Sequence, residues 1–137
     1  MSATGERRWV GTGTRWEEIA GYARAVRIGE RILVSGTTAT GPDGVVGAGD
    51  AAAQARFILG RIEKAINDLG GRMTDVVRTR VYVSDIAHWE AVARVHGETF
   101  APIRPANTLV EAKLAAPEHL VEIEAEAVVG SGDALQP

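Results

Sequence analysis

Apolar positions along the chain recur with two different periods. From 51 to 69 they fall at Ala55, Ile58, Leu59, Ile62, Ala65, Ile66 and Leu69. That stripe is one helical face wide and predicts a helix. Asp50 is a natural N-cap ahead of it, and Gly70-Gly71 a natural stop behind it. A second helix is predicted over 86–100, capped by Ser84-Asp85, with Ile86, Trp89, Val92, Ala93, Val95 and Phe100 as its apolar face. Trp89 is expected to pack in the core. Pro102 and Pro105 end this helix, because proline cannot continue it.

Elsewhere the period is two. Residues 25–28 and 31–35, joined at Gly29-Glu30, read as a hairpin. Over 75–83, Val77, Thr79, Val81 and Val83 form one face and Val76, Arg78, Arg80 and Tyr82 the other. A further strand is expected over 107–114. The last spans 120–129, with Glu122, Glu124 and Glu126 on one face and Val121, Ile123, Ala125, Ala127 and Val129 on the other. Residues 39–49 form a glycine-rich loop that turns at Pro42-Asp43-Gly44. Residues 1–14 read as a flexible lead-in with Trp9-Val10 as a candidate short strand, and 130–137 as a loose tail. Strand pair, helix, strand, helix, strand pair predicts an α+β two-layer sandwich, a mixed sheet with both helices on one face.

Composition narrows the functional classes. A chain of 137 residues fits one domain, taken here as 1–137. Lys and Arg number 15 against 18 Asp and Glu, for a net charge of −3, and the basic residues are scattered. Phosphate backbones demand clustered cations, so a nucleic-acid partner is not expected. With no cysteine, disulfides, thiolate nucleophiles and Cys-type zinc sites are excluded, and a cytoplasmic setting is expected. The first sixteen residues carry no apolar signal-type core. No run approaches the ~20 apolar residues of a membrane span, so no membrane partner is expected. His88 and His96 stand eight apart, not the four of a zinc helix, and no metal is expected. Gly5, Gly11 and Gly13 match no phosphate loop, and no serine has a nucleophile-elbow context.

Five local features then coincide in order and spacing. They are Gly21-Tyr22 before the hairpin, Val34-Ser35-Gly36 at the end of its second strand, and Ala53-Gln54-Ala55-Arg56 opening the first helix. The others are 76–85, reading VVRTRVYVSD, and the closing Pro105-Ala106, Val110-Glu111 and Glu122-Ile123-Glu124-Ala125. Together, from about Tyr22 to Val129, they resemble the Rid (reactive intermediate deaminase) family, also called YjgF. The resemblance implies a fold like that of bacterial chorismate mutase, and a homotrimer with small-molecule pockets between subunits. It also implies cofactor-independent hydrolysis of reactive enamines and imines.

The family's site residues carry over unevenly. Tyr22, Ser35 and Gly36 match pocket positions, and Glu122 matches the carboxylate that holds or activates the attacking water. Asn107 stands where deaminating members carry an arginine for the substrate carboxylate. Ala93 stands where they tend to carry asparagine, and Leu109 replaces a frequent cysteine. An arginine grips a carboxylate with two charge-assisted hydrogen bonds, and asparagine offers a neutral amide. Losing that anchor costs about 2–4 kcal/mol in a buried site. Arg104, between two prolines, is either a surface charge or a displaced guanidinium reaching into the pocket. Thr37 and Thr38 are strand-end hydroxyls or pocket lining. The expected site is therefore Glu122 as catalytic residue, with Tyr22, Ser35, Gly36, Arg104, Asn107 and Leu109 binding substrate. The leading reading is hydrolysis of a small electrophilic C=N compound other than a simple 2-imino acid. The alternative is a non-catalytic small-ligand binding or sensing protein. Ribonuclease action, attributed to some relatives, is disfavoured by the acidic balance and the absence of a catalytic histidine pair.

Overall fold

The computed structural model describes residues 6–135. Strand β1 (Arg7–Val10) is followed by helix α1 (Arg15–Ala20), then by the hairpin β2 (Ala25–Ile28) and β3 (Arg31–Thr38). A two-residue pair, β4 (Thr40–Gly41) and β5 (Gly44–Val45), leads to helix α2 (Ala51–Asp68). Then come β6 (Val76–Val83), helix α3 (Trp89–Phe100), β7 (Ala106–Glu111) and β8 (Val121–Val128). Six strands form one sheet in the order β1-β2-β3-β8-β6-β7, antiparallel except for the parallel pair β6 and β7. The last two strands in sequence are therefore not neighbours. β8 enters between β3 and β6, and β7 takes the edge.

The α2 stripe is buried as its spacing dictates, with Ile58, Ile62 and Ile66 fully enclosed. It packs against Ile32 and Val34 of β3 and Ile123, Ala125 and Ala127 of β8 within one core. Asp50 caps the helix by accepting from the Ala53 amide at 3.0 Å, and Gly70 follows with φ 87°, the left-handed C′ residue. α2 and α3 cover this face and give the expected α+β sandwich. The opposite face carries Glu122, Glu124, Glu126, Arg80 and Tyr82, and among the described residues no helix covers it. No helix among the described residues is long and apolar enough to cross a membrane.

Four expectations need correction. The sheet register shifts between Val76 and Arg78, so Val76 turns into the core and Val77 is exposed. A bulge reverses the alternation locally, as it must when one extra residue enters a strand. Trp89 is not in the core but 52% exposed, and Ile86 is exposed with it. Residues Ile86–His88 form a 3-10 turn, whose three-residue period moves this end of the stripe off the buried face. The lead-in is less loose than expected: the candidate strand at Trp9-Val10 forms and extends back to Arg7, pairing with β2 over four positions. Nor is 130–134 loose. Buried Asp75 accepts from the amides of Gly130 and Gly132, at 3.1 and 2.9 Å, and holds the segment down. Residues 1–5 and 136–137 of the two expected flexible ends lie outside the described residues.

Candidate active-site cleft

Helix α1 had no periodic signal, being only six residues long. Its ends are set by chemistry instead. Thr14 Oγ1 accepts from the Glu17 amide at 3.3 Å, and Gly21 closes the helix at φ 71° while donating to the Glu17 carbonyl at 2.9 Å. The helix presents Trp16, Ile19 and Ala20 to a cleft of about 260 Å³. The remaining walls include Tyr22 and Arg24, the β3 end Gly36-Thr37-Thr38, Arg61 of α2, His119 and Glu122.

A buried ion pair forms the frame. Arg24 is 5% and Glu17 8% exposed, with Nη2 and Oε2 3.2 Å apart. The same guanidinium donates through Nη1 to the Gly36 carbonyl at 2.6 Å and to Thr37 Oγ1 at 3.0 Å. Glu17 also accepts from the Thr12 amide at 3.0 Å and from Thr14 Oγ1 at 3.0 Å. Burial raises the proton affinity of Glu17, but the bonds from Thr12, Arg24 and Thr14 outweigh it and hold its pKa at about 2. The pair therefore ties α1 to the end of β3, where the register with β8 shifts between Val34 and Thr37, next to Glu122.

The three glutamates on one face of β8 differ sharply. Glu124 accepts from Tyr82 Oη at 2.5 Å and lies 3.4 Å from Arg80. Glu126 pairs with Arg80 and Arg31, both at 3.3 Å. Glu122 has no hydrogen bond or ion pair among the described residues. It is half-buried and lies across Gly36, so close that a Cβ at that position would collide with its Oε2. Burial pushes the Glu122 carboxyl above the usual carboxylate range and Glu124 adds to this, while Arg24 and His119 pull it back. An unengaged carboxyl with raised proton affinity, facing a cleft, is equipped to give and take protons.

Of the residues expected at the site, one chain brings together Tyr22, Gly36 and Glu122. Tyr22 is 37% exposed, with the Arg24 guanidinium 5.6 Å from its ring centre. Ser35 lies beside the cleft and spends its hydroxyl on the Ala23 carbonyl at 2.7 Å. Asn107 lies elsewhere in the chain. It is opposite Thr79 on β7 and donates to Thr79 Oγ1 at 2.9 Å. Thr79 in turn meets His96 Nε2 at 2.8 Å. Thr79 pairs with Ala125 and Tyr82 with Glu122, so Asn107 and Glu122 occupy opposite faces with β6 between them. Leu109 packs on the core from the helix side, and Arg104 is exposed beyond α3 at φ 58°, its amide donating to the Phe100 carbonyl at 2.8 Å. Sequence reasoning missed Trp16, Arg24, Arg61 and His119. Thr37 and Thr38, left open between two roles, do line the cleft.

The family model described as Endoribonuclease L-PSP matches residues 12–129. The chain belongs to this family, also called YjgF or Rid. A solved Mycobacterium tuberculosis member of the YjgF/YER057c/UK114 family is 47% identical, covering 90% of this chain and all of its own at a TM-score of 0.82. An uncharacterized Streptomyces coelicolor protein is 39% identical over 92% of this chain and 95% of its own length. The 3-aminoacrylate deaminase RutC of Acinetobacter baylyi is 34% identical over 81% of this chain and 89% of its own. Rid membership accounts for the α+β sandwich and for the order of the motifs quoted above. Among the described residues no group of three or more His, Asp or Glu converges as a metal site.

Proposed function

We propose that this Rid protein hydrolyses a small enamine or imine in the Glu122 cleft without a cofactor, releasing ammonia and a carbonyl product. The observation that carries the reading is the Glu122 carboxyl itself, alone of its row without a partner among the described residues and with its proton affinity raised by burial. It would hold the attacking water and move its protons, with the Gly36-Thr37-Thr38 strand end beside it. The likeness to a 3-aminoacrylate deaminase supports the same reaction class.

The working unit in this reading is a homotrimer. Asn107 sits on an edge strand whose outer hydrogen-bonding side is unpaired among the described residues and on the face opposite Glu122, so in this reading it reaches a Glu122 cleft only from a neighbouring copy. The expected substrate is not a simple 2-imino acid, because the amide of Asn107 carries no charge to grip an adjacent carboxylate. The same reading puts this chemistry in the cytoplasm, since a chain without cysteine needs no oxidising compartment.

The test is a panel of amino-acid-derived imines and enamines trapped as semicarbazones, with wild type and Asn107→Arg. Slow wild-type turnover of simple 2-imino acids, faster turnover of another panel member, and a gain for simple 2-imino acids in Asn107→Arg are expected. Binding of panel compounds without turnover of any would favour the sensing alternative.

A further inference from the structure

His119 is 5% exposed and lines the Glu122 cleft, yet its Nδ1 is buried with no hydrogen-bond partner among the described residues. A buried polar atom left this way costs about 1–3 kcal/mol, so an unmet partner is expected for it. The backbone around His119 is fixed with unusual care. Gln54, fully buried on α2, donates to the Glu118 carbonyl at 3.1 Å and accepts from the Leu120 amide at 2.9 Å. It thereby clamps the residues on both sides of the imidazole. His119 also lines a second opening together with Ser84, Glu111 and Lys113, so this residue borders two clefts.

We infer that His119 is a second proton-transfer residue of this site, contacting the nitrogen and hydroxyl of the reacting carbon opposite Glu122. This inference rests on the hydrolytic reading above. The charged groups around the imidazole are Glu122 from β8, Arg24 ahead of β2 and Arg61 from α2. Glu111 at the end of β7 and Lys113 beyond it stand on the far side. The His119 charge acts on Glu122, so the two groups share one local field.

The proton balance closes with these two residues. Water attacks the carbon of the C=NH group, a C–O bond forms, and Glu122 takes one water proton. The π pair moves to nitrogen, which takes a proton from His119, giving a carbinolamine. Glu122 then returns its proton to the nitrogen as His119 removes the hydroxyl proton. The C–N bond breaks, ammonia leaves, the carbonyl forms, and both side chains return to their starting states.

The experiment compares wild type, His119→Asn and His119→Gln by semicarbazone trapping of the panel imines across pH 5–9, with thermal unfolding as a check on the fold. Asn keeps a hydrogen-bonding atom near the Nδ1 position but cannot shuttle a proton near neutrality. The expected result is a loss of kcat/KM of about 10²- to 10⁴-fold in both variants and the loss of one limb of the pH profile. Rescue by Asn within about threefold, with an unchanged pH profile, would reduce His119 to a structural role. A second measurement needs no variant. The imidazole nitrogen resonances of isotope-labelled wild type are read with and without the carbonyl product of the panel member that wild type turns over fastest, and the signal of His119 Nε2, the ring nitrogen that is not enclosed, is expected to shift. No shift at saturating product would overturn the inference even if both variants failed to fold. Active, Glu122-dependent wild type with insensitive His119 variants overturns this inference alone; inactive wild type overturns the hydrolytic reading and this one together.

Discussion

The Glu122 side chain lies across the backbone of Gly36, and a Cβ at position 36 would collide with Oε2 and stand 3.1 Å from Cδ. The obstructed atoms belong to the far end of a flexible side chain, so Gly36→Ala moves the carboxyl rather than the sheet. The expected outcome is a melting temperature within a few degrees of wild type and a loss of about 10² in kcat/KM, the scale on which a misplaced catalytic group is felt. Differential scanning fluorimetry and imine trapping on the same sample read both. Unfolding of the variant would mean that Gly36 serves the fold rather than the site.

Glu122 also sets a pH dependence. Its folded proton affinity is raised, first by burial and then by Glu124. The folded state thus binds more protons than the unfolded chain, and stability falls as pH rises from about 4.3, the unfolded value, through the folded one. Glu122→Gln removes this cost. The variant is expected to match wild type at low pH and to melt higher above the folded pKa. Urea denaturation of both proteins from pH 4 to 8 gives the difference; a constant gap would show that burial of this carboxyl carries no such penalty.

The Glu17–Arg24 pair titrates in the opposite sense. With a folded pKa of about 2, its stabilisation is present above about 4.3 and fades as pH falls through 2. Breaking a buried pair by removing one partner costs about 3–5 kcal/mol. Glu17→Ala is expected to lose that much by urea denaturation at pH 7 and to release α1 from the cleft. A loss below about 1 kcal/mol would place the pair among ordinary surface contacts.

Arg104 gives a stability prediction free of catalysis. At φ 58° it occupies the left-handed region that glycine enters without a Cβ penalty. Arg104→Gly is expected to be neutral or stabilising by up to about 1 kcal/mol. A larger change in the destabilising direction would show that its side chain makes contacts that one chain does not reveal.

How much of this was legible in the sequence depends on the range of the interaction concerned. The α2 stripe, the Asp50 cap and the alternation of β8 are local patterns, and the fold enforces them as written. The Val77 bulge and the displaced Trp89 were invisible because a single added residue or a tighter turn shifts the phase without changing composition. The row Glu122, Glu124, Glu126 reads as three equal side chains. Only the register with Tyr82, Arg80 and Arg31 shows that two are tied and one is free. Gln54 and His119 stand far apart in the chain, one clamping the other's flanks, and no motif spacing reports that. Asn107 was recognised as a departure from the family, but its opposite-face placement follows from strand order, which sequence reading left undetermined.

Assembly offers an independent check. Light scattering is expected to give about three times 14.5 kDa. A monomer at micromolar concentration would remove Asn107 from any cleft and with it the expected effect of Asn107→Arg.

The most direct measurement is the rate of imine and enamine loss across the panel with wild type and with Glu122→Gln, both shown to be folded. The expected result is turnover of at least one panel member by wild type and a fall of about 10²–10⁴ in Glu122→Gln, the range for removing a general acid–base. Equal turnover by the two proteins would contradict a catalytic Glu122 and the hydrolytic cleft built around it.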